Sequence, residues 1–119
     1  MGIWGVGSDL LRRERIERAY VKFGQRFLCK IFTPLEQEAY GQHPKIVDKL
    51  AKSFAAKEAF SKAYGTGIGE AIGFQDLSVL RKPSGQPYFV MHKDIPLTAH
   101  LSFADEGEMI MAFVVLEQL

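Results

Sequence analysis

The residues with chemical reach in this chain crowd into one stretch, FAAKEAFSKAYGTGI from Phe54 to Ile68, which holds Lys57, Glu58 and Lys62. Glu58 and Lys62 are four apart, so on a helix they share a face. A carboxylate and an amine beside a glycine-rich exit could hold a metal ion and a phosphate. They could equally form a surface salt bridge, and such pairs are common enough on exposed helices that spacing by itself favours the bridge. Asp9 is a second carboxylate of interest, at the end of the run Gly5-Val6-Gly7-Ser8-Asp9. It either caps the helix that follows, as aspartate often does, or faces a site. Cys29 is the only cysteine. With no partner nearby for nucleophilic work, it reads as a small core residue.

The elements that must position these groups follow from pattern. Ala55, Ala56, Ala59 and Ala63 favour helix and keep one wall narrow. Gly65 and Gly67 end that helix, because glycine takes a left-handed exit cheaply. The whole helix runs from about Lys45, after Pro44, to Tyr64, roughly 30 Å at 1.5 Å per residue. Val47, Leu50, Ala51, Phe54, Ala55 and Phe60 are its expected core residues. Upstream, Ile3 to Ser8 reads as a short strand, with Gly5, Gly7 and Asp9 on one face, where another backbone or a ligand could come close. Leu11 to Phe27 reads as a helix with Leu11, Ile16, Ala19, Tyr20, Phe23 and Phe27 as a loose apolar stripe, and Gly24 as a candidate break. Thr33-Pro34-Leu35-Glu36 is a capping-box start for a short helix ending near Gly41. After the loop Gly69 to Gly73 come a strand from Phe74 to Lys82, a turn at Pro83 to Pro87, and a returning strand from Pro87 to Met91. A second pair, Leu97 to Ala104 and Met109 to Leu116, flanks Asp105-Glu106-Gly107. One strand, three helices, then several strands give an α+β fold, with helices on one side of a mostly antiparallel sheet.

At 119 residues, 47% of them hydrophobic, the chain reads as a single domain, 1–119, able to bury its own core. A formal net charge of +1 argues against a coat for nucleic acid. Its distribution is uneven. Arg12, Arg13, Arg15, Arg18, Lys22, Arg26 and Lys30 outnumber Glu14 and Glu17 in the first segment, while Asp94 to Leu119 carries five anions and no Lys or Arg. That asymmetry points to an acidic partner for the basic segment, or to subunits meeting head to tail. A lone cysteine forbids an intrachain disulfide and fits a reducing cytosol. The start MGIWGVGSDL lacks a signal-peptide pattern, and no apolar run approaches the roughly 20 residues of a membrane span. The expected location is the cytoplasm, with neither nucleic acid nor membrane as partner. Metal-binding cysteine clusters, Walker loops and dinucleotide fingerprints are missing from the sequence.

Together the motifs resemble a known family, the holo-[acyl-carrier-protein] synthases, the small bacterial class of 4'-phosphopantetheinyl transferases. The family's opening Gly-x-Gly-x-Asp and following Arg-Ile are matched by Gly5-Val6-Gly7-Ser8-Asp9 and Arg15-Ile16. Its central pattern is matched by Phe54 to Ala59, then Lys62-Ala63 and Gly65-Thr66-Gly67-Ile68, and its Gly-Lys-Pro turn by Gly85-Gln86-Pro87. Gln86 stands where that turn usually carries lysine, and Asp105 where the family often shows histidine. The contacts of those two side chains do not carry over, and His100 is assigned a structural role.

The resemblance implies a phosphopantetheinyl transferase fold and a transfer of the phosphopantetheine arm of coenzyme A to a serine of apo-acyl carrier protein. The by-product is adenosine 3',5'-bisphosphate, and the pathway served is fatty acid biosynthesis. By that likeness Asp9 and Glu58 hold Mg²⁺, for which hard carboxylate oxygens are suited. Lys62 contacts the phosphates and assists the leaving group; Glu58 or a metal-bound water takes the serine proton. Gly65, Thr66 and Gly67 lie along the phosphate or pantetheine path, and Gly85 and Pro87 lie near the adenine. Arg15 docks the acidic carrier protein, helped by Arg12, Arg18, Lys22 and Arg26. The family is typically a homotrimer with sites between subunits. Two other readings of the residues stand beside this one: a non-catalytic binder of acidic proteins, and a metal-dependent hydrolase of pyrophosphates.

Overall fold

The computed structural model describes residues 2–119. Its elements run β1 (Ile3–Arg12), α1 (Arg13–Phe23), α2 (Gln25–Ile31), α3 (Pro34–Tyr40), α4 (Ile46–Tyr64), a 3₁₀ turn (Phe74–Asp76), β2 (Leu77–Arg81), β3 (Pro87–Met91), β4 (Leu97–Glu106) and β5 (Met109–Gln118). The α+β class holds, with all strand pairs antiparallel. There are two sheets rather than one, β1-β5-β4 and the hairpin β2-β3.

β1 is four residues longer than its sequence suggests. Asp9, Leu10, Leu11 and Arg12 resemble a helix start, but β5 offers them partners down to Met109, opposite Arg12. Leu11 is buried on the core face of that ladder. Tertiary pairing therefore overrides the local pattern. Asp9 lies inside the strand opposite Ala112, and among the described residues no side chain caps α1. The cap reading of Asp9 fails because the helix begins four residues later.

The single helix expected from Leu11 to Phe27 is two helices. Gly24 takes φ +58°, a left-handed conformation, and its amide closes α1 on the Tyr20 carbonyl at 2.7 Å. Ile16 is buried, while Phe23 is 49% exposed. Cys29, on α2, is exposed rather than in the core; Leu28 and Ile31 supply the buried face of that short helix. α3 forms as its capping box dictates: the Thr33 hydroxyl accepts the Glu36 amide and the Glu36 carboxylate accepts the Thr33 amide. The expected strand from Phe74 is delayed by the 3₁₀ turn, where the Asp76 carboxylate accepts the Gly73 amide at 2.8 Å.

α4 is the spine of the core. Leu50, Ala51, Ala55, Ala56, Ala59, Phe60 and Ala63 are buried, whereas Val47 and Phe54 are half-buried. It lies across β1, β5 and β4 on one face of the three-stranded sheet. Its contact with β1 is backbone to backbone. A Cβ at Gly5 would collide with the Ala63 carbonyl, and one at Gly7 with the Ala59 carbonyl and Ala63 amide. Another backbone, not a ligand, is what those two glycines admit. On the opposite face Val6, Leu10, Met111 and Phe113 are exposed.

Gly7→Ala should therefore destabilise the fold by about 3 kcal/mol, as overpacking against immovable backbone does. Gly2→Ala, where a Cβ meets open space, should change nothing. Equal urea midpoints for Gly7→Ala and the parent would refute the close-contact account.

Candidate active site

The close contact sets a register. Gly5 meets Ala63 and Gly7 meets Ala59. Two strand residues span about 6.7 Å and four helical residues about 6 Å. Continuing that match brings Asp9 alongside the Ala55–Glu58 turn of α4. The strand thus delivers one carboxylate and the helix the other, and Lys62 sits one turn further along.

Lys62 does not form the helical salt bridge with Glu58 that spacing favoured. Its ammonium reaches across to β1, donating to the Ser8 carbonyl at 3.0 Å and to Asp9 Oδ1 at 3.3 Å. Asp9 Oδ2, by contrast, is buried without a hydrogen-bond partner among the described residues. Burying a carboxylate oxygen without a donor is costly. Burial lifts the Glu58 carboxyl above its ordinary value, and the neighbouring Asp9 charge adds to the lift; Lys62 and Arg15 oppose it. Two carboxylates and one lysine thus converge where a cation is electrostatically welcome. Their donors are hard oxygens, which suits a divalent ion such as Mg²⁺ that takes one or two carboxylates and completes its shell with phosphate and water. Among the described residues no group of three or more His, Cys, Asp or Glu is placed to hold a metal by itself.

Downstream of Lys62, α4 ends at Gly65 with φ +110°, and Gly67 has φ +73°. The amides of Gly65, Thr66 and Gly67 all converge on the Ser61 carbonyl, at 3.0, 3.2 and 3.1 Å. Those amides are engaged within the chain, so a ligand passing here would meet glycine Cα surface and the Thr66 side chain. Gln86 and Pro87 of the turn line a separate groove with Lys52, Arg81, Ser102 and Asp105, and Gly85 is not among its lining residues. Phe103, in the same groove, pairs with Ala112, and Ala112 with Asp9. The row Asp9–Ala112–Phe103 thus spans about 10 Å across three strands.

The basic segment divides into two roles. Arg15 stands beside the site: its guanidinium lies over the Phe54 ring, 5.5 Å from the centroid, and its charge is felt at Glu58. Arg12 and Arg18 share the depression around it, Arg18 pairing with Glu14, and Lys22 lies over Phe23. Arg26 is exposed on α2, beyond the Gly24 break. Arg13 turns inward instead, donating to Asp48 at 3.0 Å and to the Gly107 carbonyl at 2.9 Å. Asp105 is held by Arg13 and Lys52, both at 3.4 Å. That cluster ties the β4–β5 hairpin to the starts of α1 and α4. His100, on β4, pairs with Glu117 at 3.0 Å.

One group went unassigned from the sequence. Lys57 is completely buried and ion-paired with Glu36, which appeared in the sequence as a helix cap and no more. The available signal was a lysine among the small and apolar residues Ala55, Ala56, Ala59 and Phe60; the partner, 21 positions earlier, carried none.

Comparison with known proteins shows the family and the fold. The family model of the 4'-phosphopantetheinyl transferase superfamily matches residues 5–114. A holo-[acyl-carrier-protein] synthase of Vesicomyosocius okutanii is 39% identical over 97% of both chains. The crystal structure of the Neisseria meningitidis holo-[acyl-carrier-protein] synthase is 39% identical, with TM-score 0.89 over 98% of this chain and 99% of that one. The Bacillus anthracis holo-(acyl-carrier-protein) synthase, solved in complex with CoA (3',5'-ADP), is 33% identical with TM-score 0.89 over the whole of both chains.

The raised carboxyl of Glu58 predicts a pH effect on the metal-free protein. The fold holds that proton more tightly than the unfolded chain does, so stability is fully present below the ordinary value of 4.5 and declines as pH rises through the folded value. In EDTA, Glu58→Gln should melt above the parent at pH 7, with the gap closing below pH 4.5. A gap that widens on acidification would contradict the assignment.

Proposed function

This chain belongs to the holo-[acyl-carrier-protein] synthases of the 4'-phosphopantetheinyl transferase superfamily, and from that premise we propose that it moves phosphopantetheine from coenzyme A to a serine of apo-acyl carrier protein in a Mg²⁺-dependent reaction serving fatty acid biosynthesis. The observation that carries the reading is the buried Asp9 Oδ2, without a partner among the described residues, beside Glu58 and Lys62. Asp9 and Glu58 would hold Mg²⁺, which would draw charge from the pyrophosphate oxygens of CoA.

The chain's own residues supply the rest. The serine hydroxyl attacks the β-phosphorus, forming the new P–O bond as the bond to adenosine 3',5'-bisphosphate breaks. Glu58 is proposed as the group that takes the serine proton. Lys62, pinned by the Ser8 carbonyl and Asp9, presents a fixed cation to the phosphates and the leaving group. Lys62, Gly65, Thr66 and Gly67 border the pantetheine path, and Gly85 and Pro87 the adenine. Arg15 joins docking to chemistry: an acidic carrier protein guided by Arg12, Arg15, Arg18, Lys22 and Arg26 arrives with its serine next to Glu58. The apolar outer face of β1 and β5 suits burial against further copies in a homotrimer, and sedimentation should show a trimer rather than a monomer.

Mass spectrometry of apo-acyl carrier protein after incubation with CoA and Mg²⁺ should show addition of phosphopantetheine, abolished by EDTA and by Asp9→Asn or Glu58→Gln. Cleavage of CoA with an unmodified carrier would identify a hydrolase; binding without either change would identify a binder. Arg15→Glu should raise KM for the carrier at least tenfold more than KM for CoA, about 1.4 kcal/mol of lost attraction. Equal changes in both constants would remove Arg15 from docking.

A further inference from the structure

Lys57 and Glu36 are buried charges without a part in the transfer just described. Glu36 Oε1 accepts from Lys57 Nζ at 2.5 Å and from the Thr33 amide at 2.9 Å. Oε2 accepts from the Ser53 hydroxyl at 2.6 Å and the Val79 amide at 3.1 Å. Lys57 also donates to the Ile31 carbonyl at 2.6 Å. One carboxylate and one ammonium thus join the end of α2, the first turn of α3, two turns of α4 and strand β2. An apolar pair of similar volume would often be as stable as a buried ion pair, so stability alone does not account for it.

The neighbouring contact supplies the reason. Where α4 meets β1, glycines face alanines. Such a surface lets the helix come close but offers few interlocking side chains to fix its rotation, and shape complementarity is what ordinarily selects a single arrangement. Glu58 sits next to Lys57 on α4. A carboxylate roughly 6 Å from the helix axis moves about 1 Å for each 10° of helix rotation, a misplacement that can cost about a hundredfold in rate. Directional bonds from Lys57 and Ser53 to Glu36 act with that close contact to fix the rotation at which it is made.

We infer that the Glu36–Lys57 pair is a positioning device, setting the rotation of α4 so that Glu58 and Lys62 converge on Asp9; this rests on the reading of those three residues as the transfer site. Lys57 and Glu36 touch no substrate and act through Glu58. Glu36→Gln/Lys57→Met removes both charges together, and Ser53→Ala removes one of the α4 bonds to Glu36 with little loss of volume. Far-UV melting, steady-state kinetics with CoA and carrier protein, and electron paramagnetic resonance of free Mn²⁺ titrated alone are measured on each variant that folds. Expected in the double variant are a cooperative melt, kcat lowered about 10- to 100-fold, Mn²⁺ affinity lowered several-fold, and KM for the carrier within twofold of the parent. Ser53→Ala should shift kcat and Mn²⁺ affinity the same way by a smaller factor, and decides the matter alone if the double variant does not fold. Parental kcat and parental Mn²⁺ affinity in a folded variant would overturn the inference and leave the pair a structural element only. A parent chain inactive in transfer would instead overturn the proposed function, with Mn²⁺ affinity still deciding whether the pair sets the site.

Discussion

Everything in this molecule depends on how closely α4 lies against β1. Gly5 and Gly7 remove the side chains that would hold the helix away, and Ala59 and Ala63 remove those on the other side. At those two positions the first strand and the helix therefore meet at backbone distance, while Leu11, Ile110, Val114 and Leu116 fill the space beneath the helix elsewhere on the sheet. That is costly to chain entropy, since glycine in a strand has more freedom to lose. What it gains is placement: an acid two residues beyond Gly7 and an acid one residue before Ala59 are brought together across the joint. A larger residue at either glycine would separate the carboxylates as well as weaken the fold.

The cluster so formed is electrostatically unbalanced. Asp9 and Glu58 repel each other, one Asp9 oxygen is buried without a partner among the described residues, and Lys62 balances only part of the charge. A purely structural cluster would satisfy each of these groups, as happens around Asp48, where Arg13 and Lys52 both reach the carboxylate and lower its proton affinity against the opposing effect of burial. The contrast between a satisfied cluster around Asp48 and an unsatisfied one around Asp9 is what marks the latter as the candidate site. Arg15 connects the two regions of interest, because it belongs to the exposed basic helix and its charge still reaches Glu58.

Local rules failed where long-range partners intervened. Asp9 to Arg12 looked like the beginning of a helix and became strand, because β5 runs long enough to pair with them. The Glu58–Lys62 bridge gave way to a lysine reaching β1, since a carbonyl and a carboxylate there offer Lys62 two acceptors where its own helix offers one. Cys29 was assigned to the core from residue type, but α2 is only two turns long and presents Leu28 and Ile31 inward instead.

By itself the sequence determined the class of fold, the capped start of α3, the extent and glycine stop of α4, both hairpins, and the family through its motifs, because capping, helix propensity and turn chemistry act over a few neighbouring residues. It also identified Asp9, Glu58 and Lys62 as candidates, without a reason intrinsic to spacing for Asp9 and Glu58 to meet. Only the tertiary structure decided that they do, that Gly5 and Gly7 serve a helix rather than a ligand, and that Lys57 reaches Glu36 in the interior. Each of those outcomes depends on atoms brought together from separate elements, by packing that no local pattern encodes.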